Sequence, residues 1–491
     1  MGAWVDHRYH ELSDRLFAPV APTPVAAPEL LLLNVPLARR LGLDPDWLAS
    51  PEGVACLAGN STLPGTRPVA LAYAGHQFGH FSPVLGDGRA ILLGELEDAD
   101  GQRFELQLKG SGPTPFSRRG DGRAALGPAL REFIVSEAMA AFGIPTTRAL
   151  AVISTGELVF RERALPGAIV VRVAASHIRV GTFQFFAARG DRASLQLLAD
   201  DVIARHYPDL AGSSDRYGDL LDAVAERQAR LVAAWMAVGF VHGVMNTDNV
   251  ALSGETLDYG PCAFLDAYHP ATVFSAIDEG GRYAFARQPQ MAAFALARLA
   301  EAMLPLLADN EDAAFQRAQG AVDGFAARFA AAYRAAIGAK LGLPAATDAD
   351  VDLSRRLLDL MTASAADFTM TFRDLGDAAG FEGADAPLLA RLGGTEAATT
   401  WIADWRARLA ATPGAGPAET RAAMHAVNPL FIPRNHRLEA AFTAAVDTGS
   451  LAEVRDLLTV LADPYAEHPD HAALAVPPEP EERVTRTFCG T

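Results

Sequence analysis

The alternation of apolar and polar residues changes along this chain from a strand period to a helix period. The clearest strand pattern covers residues 90–97 and 103–109, which are joined by the turn Asp98-Ala-Asp-Gly101. Alternate residues of a strand point to opposite faces, and Lys109 falls on the polar face of the second segment. The pattern therefore predicts an antiparallel hairpin whose second strand ends at a lysine.

The other predicted elements divide the chain into two parts. Residues 1–70 are rich in proline and predict an irregular approach with a short helical piece near residues 31–41. A helix is predicted at residues 128–142, followed by strands at 148–154, 157–162 and 169–174. From about residue 181 the period is helical, and the predicted helices span residues 194–206, 216–239, 288–307, 313–341, 351–363, 396–411 and 437–461. A β-rich part followed by a helical part predicts two lobes with a cleft between them.

Residues 242–260 predict a second hairpin that carries polar side chains. A tight turn at Ser253-Gly254 would place Asn249 opposite Asp258, with Cβ atoms about 4.5–5.5 Å apart. Amide and carboxylate oxygens at that spacing suit one hard cation, and Asp248 stands just before the first strand. This hairpin would face Lys109 across the cleft between the two lobes. The alternative is an ordinary polar hairpin without chemistry.

A second group of residues has the layout of a phosphate site. The glycine loop Gly86-Asp-Gly-Arg89 precedes the first hairpin, and Lys109 ends it, as in a phosphate-covering loop followed by a phosphate-holding lysine. Gly-Asp-Gly is also a common turn. On the helix at 128–142, either Glu132 or Glu137 is placed to pair with Lys109, unless both face solvent.

Two arginines and two histidines are further candidates for ligand binding. Arg172 interrupts an apolar strand and Arg179 follows soon after, so the pair either faces solvent or clamps a phosphate. His76 and His80 are four residues apart, a zinc-binding spacing on a helix, but the glycines between and beside them disfavour a helix. We therefore favour a structural role for the two histidines.

Composition and charge limit the possible partners. The chain has 491 residues, 21% of them charged, and a formal net charge of −17, which argues against a general nucleic-acid binder or a protein that adheres to anionic membranes. The N-terminus has no apolar signal core, and no run of about 18 apolar residues could span a bilayer. These features predict a globular, cytoplasmic protein with no nucleic-acid or membrane partner.

The order of the candidate residues matches that of a protein kinase. A glycine loop, a strand lysine and a helix glutamate are followed by His242, by Asn249 seven residues later, and by Asp258-Tyr-Gly in place of Asp-Phe-Gly. The position of the kinase catalytic base holds Val244, which accepts no proton. A transfer to a hydroxyl would then need Asp248, displaced along the loop, as its base.

Seven motifs resemble those of the selenoprotein O family (SelO). They are Tyr-Ala-Gly-His-Gln-Phe-Gly at 73–79, Gly-Asp-Gly-Arg at 86–89, the glycine- and arginine-rich stretch at 107–123, Leu-Arg-Glu-Phe at 130–133, Gly-Phe-Val-His-Gly-Val-Met-Asn-Thr-Asp-Asn at 239–249, Asp-Tyr-Gly-Pro-Cys-Ala-Phe at 258–264 and Asn-Pro-Leu-Phe-Ile-Pro-Arg-Asn-His at 428–436. The resemblance runs from about residue 70 to the C-terminus. It implies an α+β, bilobal pseudokinase fold that binds ATP inverted and transfers AMP to protein Ser, Thr or Tyr hydroxyls, with release of pyrophosphate.

The resemblance also implies boundaries and roles. It gives an N-terminal extension packing on the lobes (1–83), a kinase-like N-lobe (84–180), a large helical C-lobe (181–475) and a flexible tail (476–491). The phosphates would be held by Lys109, Arg172 and Arg179, with Glu132 paired to Lys109 and with the nucleotide pocket completed by Gly86, Gly88, Arg89, Asp121 and Gly122. Asn249 and Asp258 would bind Mg²⁺ or Mn²⁺, and Asp248 would accept the proton.

The cysteines carry one further expectation. Cys56, Cys262 and Cys489 form neither a disulfide framework nor a metal-binding pattern by spacing. The resemblance implies a Cys262–Cys489 disulfide, and our hypothesis is that it pins the tail near the active site and tunes access. Two reduced thiols are the alternative in a cytosolic protein. For the whole chain, the competing functions are a kinase that transfers the γ-phosphate and a catalytically silent nucleotide-binding scaffold.

Overall fold

The strand-period segments form one antiparallel sheet in the computed structural model of the protein, which describes residues 4–5, 8–63, 65–381, 383–412 and 416–488. The strands of the described residues, in the main sheet and in two separate pairs, are β1 (Trp4–Val5), β2 (Phe17–Pro19), β3 (Glu29–Leu33), β4 (Val69–Leu71), β5 (Gly75–Gln77), β6 (His80–Ser82), β7 (Ala90–Glu97), β8 (Arg103–Lys109), β9 (Ala124–Ala125), β10 (Arg148–Phe160), β11 (Ala164–Ala174), β12 (Phe240–Val241) and β13 (Ala263–Phe264). The main sheet has the order β2-β4-β7-β8-β11-β10-β3, with β1 added to β7 and β9 to β11. The strands β5 and β6 form a separate pair, as do β12 and β13.

The hairpin predicted at 90–97 and 103–109 is confirmed, and it aligns the polar residues of the sheet. In this β7–β8 hairpin Ala90 lies opposite Lys109, and β8 pairs on its other edge with β11, where Arg172 lies opposite Gln107. Opposed residues of an antiparallel pair share a face of the sheet. Lys109, Gln107 and Arg172 therefore point to the same side, toward the helix that begins at Leu126.

The helices of the described residues are α1 (Tyr9–Leu12), α2 (Val35–Arg40), α3 (Pro45–Leu48), α4 (Pro51–Leu57), α5 (Leu126–Ala141), α6 (Val180–Ala187), α7 (Arg192–His206), α8 (Arg216–Ala237), α9 (Gln288–Leu307), α10 (Glu311–Asp323), α11 (Phe325–Lys340), α12 (Asp348–Ser364), α13 (Phe368–Gly380), α14 (Ala386–Arg391), α15 (Glu396–Ala410), α16 (Pro417–His425), α17 (Asn435–Thr448) and α18 (Ala452–Ala462). Two predicted long helices are each divided in two. The first break falls at Gly324, and the second falls at Gly449, whose φ of +72° ends α17. A left-handed residue is a common helix terminator, so the glycine outweighs the continuous apolar period.

The prediction of an irregular N-terminal region is wrong. Residues 17–19 and 29–33 are strands of the main sheet, and α2, α3 and α4 cover one of its faces. Each of these helices has a proline in its first turn and a capping side chain just before it, from Asn34, Asp44 and Ser50. Proline fits the first helical turn because its missing N–H has no partner there. Pro36, Pro45 and Pro51 therefore mark helix starts. The prolines at positions 19, 22, 24 and 28, which were interpreted as breaks, lie outside the helices.

Three apolar cores hold the molecule together. One lies between the sheet and α2 to α4, a second joins the other face of the sheet to α5 and to helices α6 to α9, α17 and α18, and a third lies among α11 to α15. One described segment, Phe285–Leu307, is long and apolar enough to cross a membrane by composition alone, contrary to the expectation from sequence, and half of its window is buried. Its residues Leu299 and Met303 are fully buried in the second core, as in a core helix.

Candidate active site

Lys109 belongs to a cluster of two cations and two carboxylates. Its Nζ donates to Oε2 of Glu132 on α5 at 2.6 Å, and it also donates to Oδ1 of Asp258. Arg172 on β11 donates from Nε to Oε1 of Glu132 at 2.7 Å and from Nη2 to the same Asp258 oxygen at 3.3 Å. Four separate segments thus meet in one network whose two positive charges balance its two negative charges.

The cations keep both carboxylates ionised. Burial alone raises the pKa of Glu132, but the charges of Arg172 and Lys109 outweigh it and lower that pKa. Burial also opposes ionisation of Asp258, yet Lys109, Arg172 and Arg89 lower its pKa well below the usual range. Arg89, at the end of the glycine loop, therefore faces this cluster.

The structure resolves one alternative from the sequence and alters another expectation. Glu132 pairs with Lys109, whereas Glu137 pairs with Arg148 through an Nε–Oε1 bond of 2.8 Å. The predicted arrangement placed Lys109 across a cleft from Asp258, but the two side chains are in direct contact. Opposite charges attract strongly where water is scarce, and the ion pair closes the gap.

The glycine loop is fixed by the loop at residues 113–117. Gly86 has a φ of +72°, and a Cβ there would lie 2.3 Å from the ring of Phe116. Thr114 donates its hydroxyl to the carbonyl of Asp87 at 2.6 Å. Gly88 would also be crowded by a side chain, since its Cβ would lie 3.0 Å from the Phe116 carbonyl. The loop therefore requires glycine at 86 for both its backbone angle and its packing.

Asp87 is a buried acid of this loop that sequence reasoning left without a role. Its Oδ2 accepts from Nε2 of Gln107 at 3.0 Å, and its Oδ1 lies 3.8 Å from Nη2 of Arg179. Arg179 is itself buried, donates to the carbonyl of His177 at 3.0 Å and lies over the ring of Tyr73 at 4.3 Å. The only sequence signal for Asp87 was its position between two glycines before a strand.

Asp121 and Gly122 lie in a neighbouring loop outside the ionic cluster. The exposed Asp121 accepts from Nη1 and Nη2 of Arg161 at 2.8 and 3.1 Å. Gly122 has a φ of +67°, and a Cβ there would lie 2.1 Å from the carbonyl of Gly112. These contacts hold the glycine-containing loops against each other, and Asp121 pairs with Arg161 rather than with a member of the ionic cluster.

The predicted hairpin at 242–260 is wrong in its regular form. A single bridge joins Val250 to Thr256, one residue out of the predicted register, and Asn249 lies on a 3-10 turn (Thr247–Asn249). The two segments instead pair with other elements: Leu252 N–H donates to the Ile178 carbonyl at 3.0 Å, and Thr256 N–H donates to the Pro145 carbonyl at 2.9 Å. Tertiary neighbours satisfy these backbone groups, which the local pattern could not reveal.

Asp248 is buried beside the cluster. Burial raises its pKa to about 6, against the effects of Arg179 and of a hydrogen bond from Gln77, and the charge of Asp258 raises it further. Its Oδ2 accepts from Nε2 of Gln77 at 3.3 Å, and its backbone carbonyl accepts from Nη1 of Arg179 at 3.4 Å. The carboxylates of Asp248 and Asp258 are therefore electrostatic neighbours.

Asn249 and Asp258 have the donor chemistry for a divalent cation. The Asn249 amide donates from Nδ2 to the Val244 carbonyl at 3.0 Å, which turns its oxygen away from that carbonyl. Asp258 is 23% exposed and has a left-handed φ of +70°. Amide and carboxylate oxygens are preferred ligands of Mg²⁺ and Mn²⁺, and Mg²⁺ commonly uses one or two protein oxygens plus water and phosphate. In the described part of the chain no cluster of three His, Cys, Asp or Glu residues suggests a larger metal cage.

The remaining candidates take structural roles or lie beyond the description. His76 accepts from Nε2 of Gln184 at 2.8 Å, in the β5–β6 hairpin rather than on a helix, and His80 is exposed. The proposed partner of Cys262, Cys489, lies outside the described residues. Cys262 itself is a buried free thiol whose pKa burial raises to about 12. Thr487 donates its hydroxyl to the Pro261 carbonyl at 2.6 Å, so residue 487 lies beside the Cys262 segment.

Cavity size does not locate the site. A cavity of about 820 Å³ lies between the start of α5, α17 and residues 484–488, whereas the cavity lined by Arg89, Lys109 and Glu132 has about 10 Å³. The smaller space holds about one water molecule. Charge and buried polar groups mark the smaller one as the candidate chemical site.

Sequence reasoning also missed a buried network behind the site. Glu105 on β8 accepts the backbone N–H of His177 at 2.8 Å, contacts Nδ1 of the His177 imidazole at 2.7 Å and accepts from the Tyr9 hydroxyl at 2.8 Å. His177 in turn supplies the carbonyl that Arg179 contacts. The alternation that places Glu105 on the face of Lys109 was a usable signal, but Tyr9 comes from a region that was interpreted as irregular.

Comparisons with known proteins find relatives along nearly the whole chain. Proteins named protein nucleotidyltransferase YdiU are 60% identical over 483 residues in Bradyrhizobium sp. (strain ORS 278), 58% over 486 residues in Rhodopseudomonas palustris (strain BisB5) and 55% over 486 residues in Rhizobium etli (strain ATCC 51251). The matches cover 98–99% of this chain and 97–99% of the relatives. The class that fold, site and relatives define is the protein nucleotidyltransferases.

The family follows from a whole-chain match. A family model described as protein adenylyltransferase SelO matches residues 3–462. The chain therefore belongs to the SelO family of protein adenylyltransferases. The match begins at residue 3, well before residue 70, where the resemblance in the motifs began. The N-terminal strands in the main sheet give this a physical reason, because the sheet is incomplete without them.

Proposed function

We propose that this protein transfers AMP from ATP to Ser, Thr or Tyr hydroxyls of other proteins and releases pyrophosphate, on a kinase-like bilobal fold. In this proposal residues 84–180 form the N-lobe and residues 181–475 the helical C-lobe, with residues 1–83 packed on both and residues 476–491 as a tail. The observation that carries the proposal is the charge-balanced cluster of Lys109, Glu132, Arg172 and Asp258 beside the buried Asp248.

The cluster supplies the charges for an inverted triphosphate. Lys109 and Arg172 exchange Asp258 for phosphate oxygens when the nucleotide enters, and Glu132 keeps both cations in place. Arg179 is held on the other side by Asp87 and Tyr73 and completes the phosphate contacts. The nucleotide pocket is completed by Gly86, Gly88, Arg89, Asp121 and Gly122. Preorganised cations of this kind stabilise charge on the departing pyrophosphate.

Asn249 and Asp258 would hold Mg²⁺ or Mn²⁺. A divalent ion bound there would neutralise part of the phosphate charge. The support in this chain is the two hard oxygen donors, one of which is the carboxylate that Lys109 and Arg172 contact.

The transfer itself needs one proton acceptor. The acceptor hydroxyl oxygen forms a bond to the α-phosphorus as the bond to the α,β-bridging oxygen breaks, and pyrophosphate departs with that electron pair. The hydroxyl proton passes to Asp248. A general base works best when its pKa lies somewhat below the working pH, and the raised pKa of Asp248, about 6, satisfies this. Val244 occupies the usual kinase position and accepts no proton, so γ-phosphate transfer would lack its usual base unless Asp248 supplied it.

ATP labelled at the α-phosphate or at the γ-phosphate separates the possible functions. The proposal predicts that α-label enters casein, a hydroxyl-rich unfolded acceptor, or the chain itself, while γ-label leaves as pyrophosphate. Incorporation of γ-label would identify a kinase, and unchanged ATP would identify a binding scaffold. We also propose that the protein acts in the cytoplasm.

A further inference from the structure

The β5–β6 hairpin, which sequence analysis singled out only for its histidines, lies directly on the turn that carries Asp248. The N–H of His76 donates to Oγ1 of Thr247 at 2.7 Å, and the Thr247 hydroxyl donates to Oε1 of Gln184 at 2.6 Å. The amide of Gln184 then returns to Nδ1 of His76 at 2.8 Å. The three residues form a closed ring of hydrogen bonds that joins the hairpin to the turn.

The far end of the hairpin is fixed in the same way. The N–H of Phe78 donates to Oδ1 of Asn246 at 3.0 Å, and this oxygen also accepts from the Tyr283 hydroxyl at 2.5 Å. Phe78 has a φ of +51°, a rare angle for a bulky residue, and its ring meets that of Tyr283 edge-on at 5.1 Å. Surrounding contacts must hold such a residue in place, and strained residues of this kind concentrate at functional sites.

Between these two anchors the hairpin contacts the carboxylate of Asp248. Nε2 of Gln77 donates to Oδ2 at 3.3 Å. On the other side, a Cβ added to Gly75 would lie 2.9 Å from Oδ1, so glycine lets the backbone approach that oxygen closely. Oδ1 is buried and has no hydrogen-bond partner among the described residues. The carboxylate of Asp248 is therefore held through Oδ2, by the hydrogen bond from Gln77.

From these contacts we infer that Gln77 is a positioning residue for the transfer reaction, because it sets the rotation of the Asp248 carboxylate toward the acceptor hydroxyl. The inference rests on the proposed function, in which Asp248 takes the proton. No hydrogen bond or ion pair of the described residues joins the Gln77 side chain to the Lys109 cluster or to the glycine loop, so it acts on the acceptor side of the reaction and leaves nucleotide binding alone.

The test replaces the amide without shortening the side chain. Gln77→Met should lower kcat for transfer of α-label to casein about tenfold, with the KM for ATP unchanged, because orientation of a general base contributes to the transition state alone. Binding of a non-hydrolysable ATP analogue and the melting temperature should match those of the unmodified protein. Gln77→Asn, which keeps a shorter amide, should retain more activity than Gln77→Met and serves if the latter fails to fold.

A matched control exists on α10, where the exposed Gln319 donates to Oδ1 of Asp323 at 2.6 Å. Gln319→Met removes a glutamine–aspartate hydrogen bond remote from the cluster and should leave kcat unchanged. A drop in melting temperature and in analogue binding for Gln77→Met, in parallel with kcat, would show a merely structural role and overturn the inference. Equal kcat for Gln77→Met and the unmodified protein would also overturn it.

A double variant separates this inference from the proposed function. If Gln77 acts through Asp248, then adding Gln77→Met to Asp248→Asn should cause no further loss, since contacts in one network are not additive. A further tenfold loss in the double variant would show that Gln77 acts independently and would refute the inference alone. If the unmodified protein transfers no α-label, the proposed function fails first and the inference falls with it.

Discussion

The two lysines of this chain are both buried, but they occupy opposite electrostatic environments. Lys109 lies between the carboxylates of Glu132 and Asp258, with Arg172 completing the network. Lys340, at the end of α11, donates from Nζ to Oδ1 of Asn428 at 2.6 Å and lies 4.0 Å from the centre of the Phe372 ring. One ammonium is surrounded by counter-charges and the other by an amide and aromatic rings.

The difference shows what a buried lysine needs if it is to hold a ligand. Burial lowers the pKa of Lys340 to about 7, so this amine gives up its charge readily in the folded protein. Around Lys109 the lowered pKa values of Glu132 and Asp258 show that the negative charges persist beside their cations. A phosphate can take over the cations from Asp258, whereas the surroundings of Lys340 offer a packing role only.

The same substitution at the two positions gives the largest expected contrast. Lys109→Met removes a phosphate contact and leaves Glu132 and Asp258 with less positive charge, so AMP transfer should fall at least about 100-fold. Lys340→Met keeps the volume of a buried side chain far from the cluster and should leave transfer within about twofold. Incorporation of α-label measures both, and equal losses would remove the distinction between the two environments.

Asp258→Asn tests the competition within the cluster. The amide weakens the metal site, and transfer should fall about 100-fold. Without metal, however, Lys109 and Arg172 no longer have to leave a carboxylate, so a non-hydrolysable ATP analogue should bind at least as tightly as to the unmodified protein. Calorimetric titration in a chelator measures this, and weaker metal-free binding would contradict the exchange of Asp258 for phosphate.

A smaller effect is expected in the glycine loop. At Gly86 an added Cβ would meet the Phe116 ring at 2.3 Å on a backbone with a φ of +72°, so Gly86→Ala should raise the KM for ATP about tenfold. Gly143 has a similar φ of +75°, but nothing lies within 4 Å of its added Cβ. Gly143→Ala therefore carries the backbone strain alone and should leave KM unchanged. Equal KM values for ATP in the two variants would argue against the close packing of Gly86 on the Phe116 ring as a requirement for ATP binding.

The smallest effect concerns stability at Lys340 as pH changes. Its pKa is 10.5 in the unfolded reference and about 7 in the folded protein, so between these values the unfolded state binds more protons. Stability from this group therefore rises with pH across that window, by about 2 kcal/mol from pH 7 to 9, and the burial penalty is fully present below pH 7. Urea unfolding should show this rise in the unmodified protein relative to Lys340→Met, and parallel pH profiles would contradict it.

Local patterns predicted the elements that position the site. The β7–β8 hairpin, the helix carrying Glu132 and the long helix α9 follow from apolar periods and turn residues, because each is stabilised largely by contacts along its own face. Residue order also predicted that a glutamate of this helix could pair with Lys109, but it left Glu132 and Glu137 open. The family resemblance selected Glu132, and the structure confirms that pairing.

Features that depend on distant partners could not be predicted. The backbone of residues 250–256 pairs with Ile178 and Pro145, so the expected hairpin is replaced by two separate pairings. Tyr9 reaches Glu105 across 96 positions in sequence, and the contact of Gln77 with Asp248 spans 171. Periodicity describes a segment's own faces and contains no information on which remote segment will meet them.

In the proposed reaction Lys109 and Arg172 exchange Asp258 for the phosphates of ATP. The exchange can be tested by a crystal structure with a non-hydrolysable ATP analogue and Mn²⁺, with the metal located by its anomalous scattering. We expect Mn²⁺ between Asn249 and Asp258, phosphate oxygens on Lys109 and Arg172, and the α-phosphorus nearest Asp248. A triphosphate bound elsewhere, with the Lys109–Asp258 ion pair intact, would contradict it.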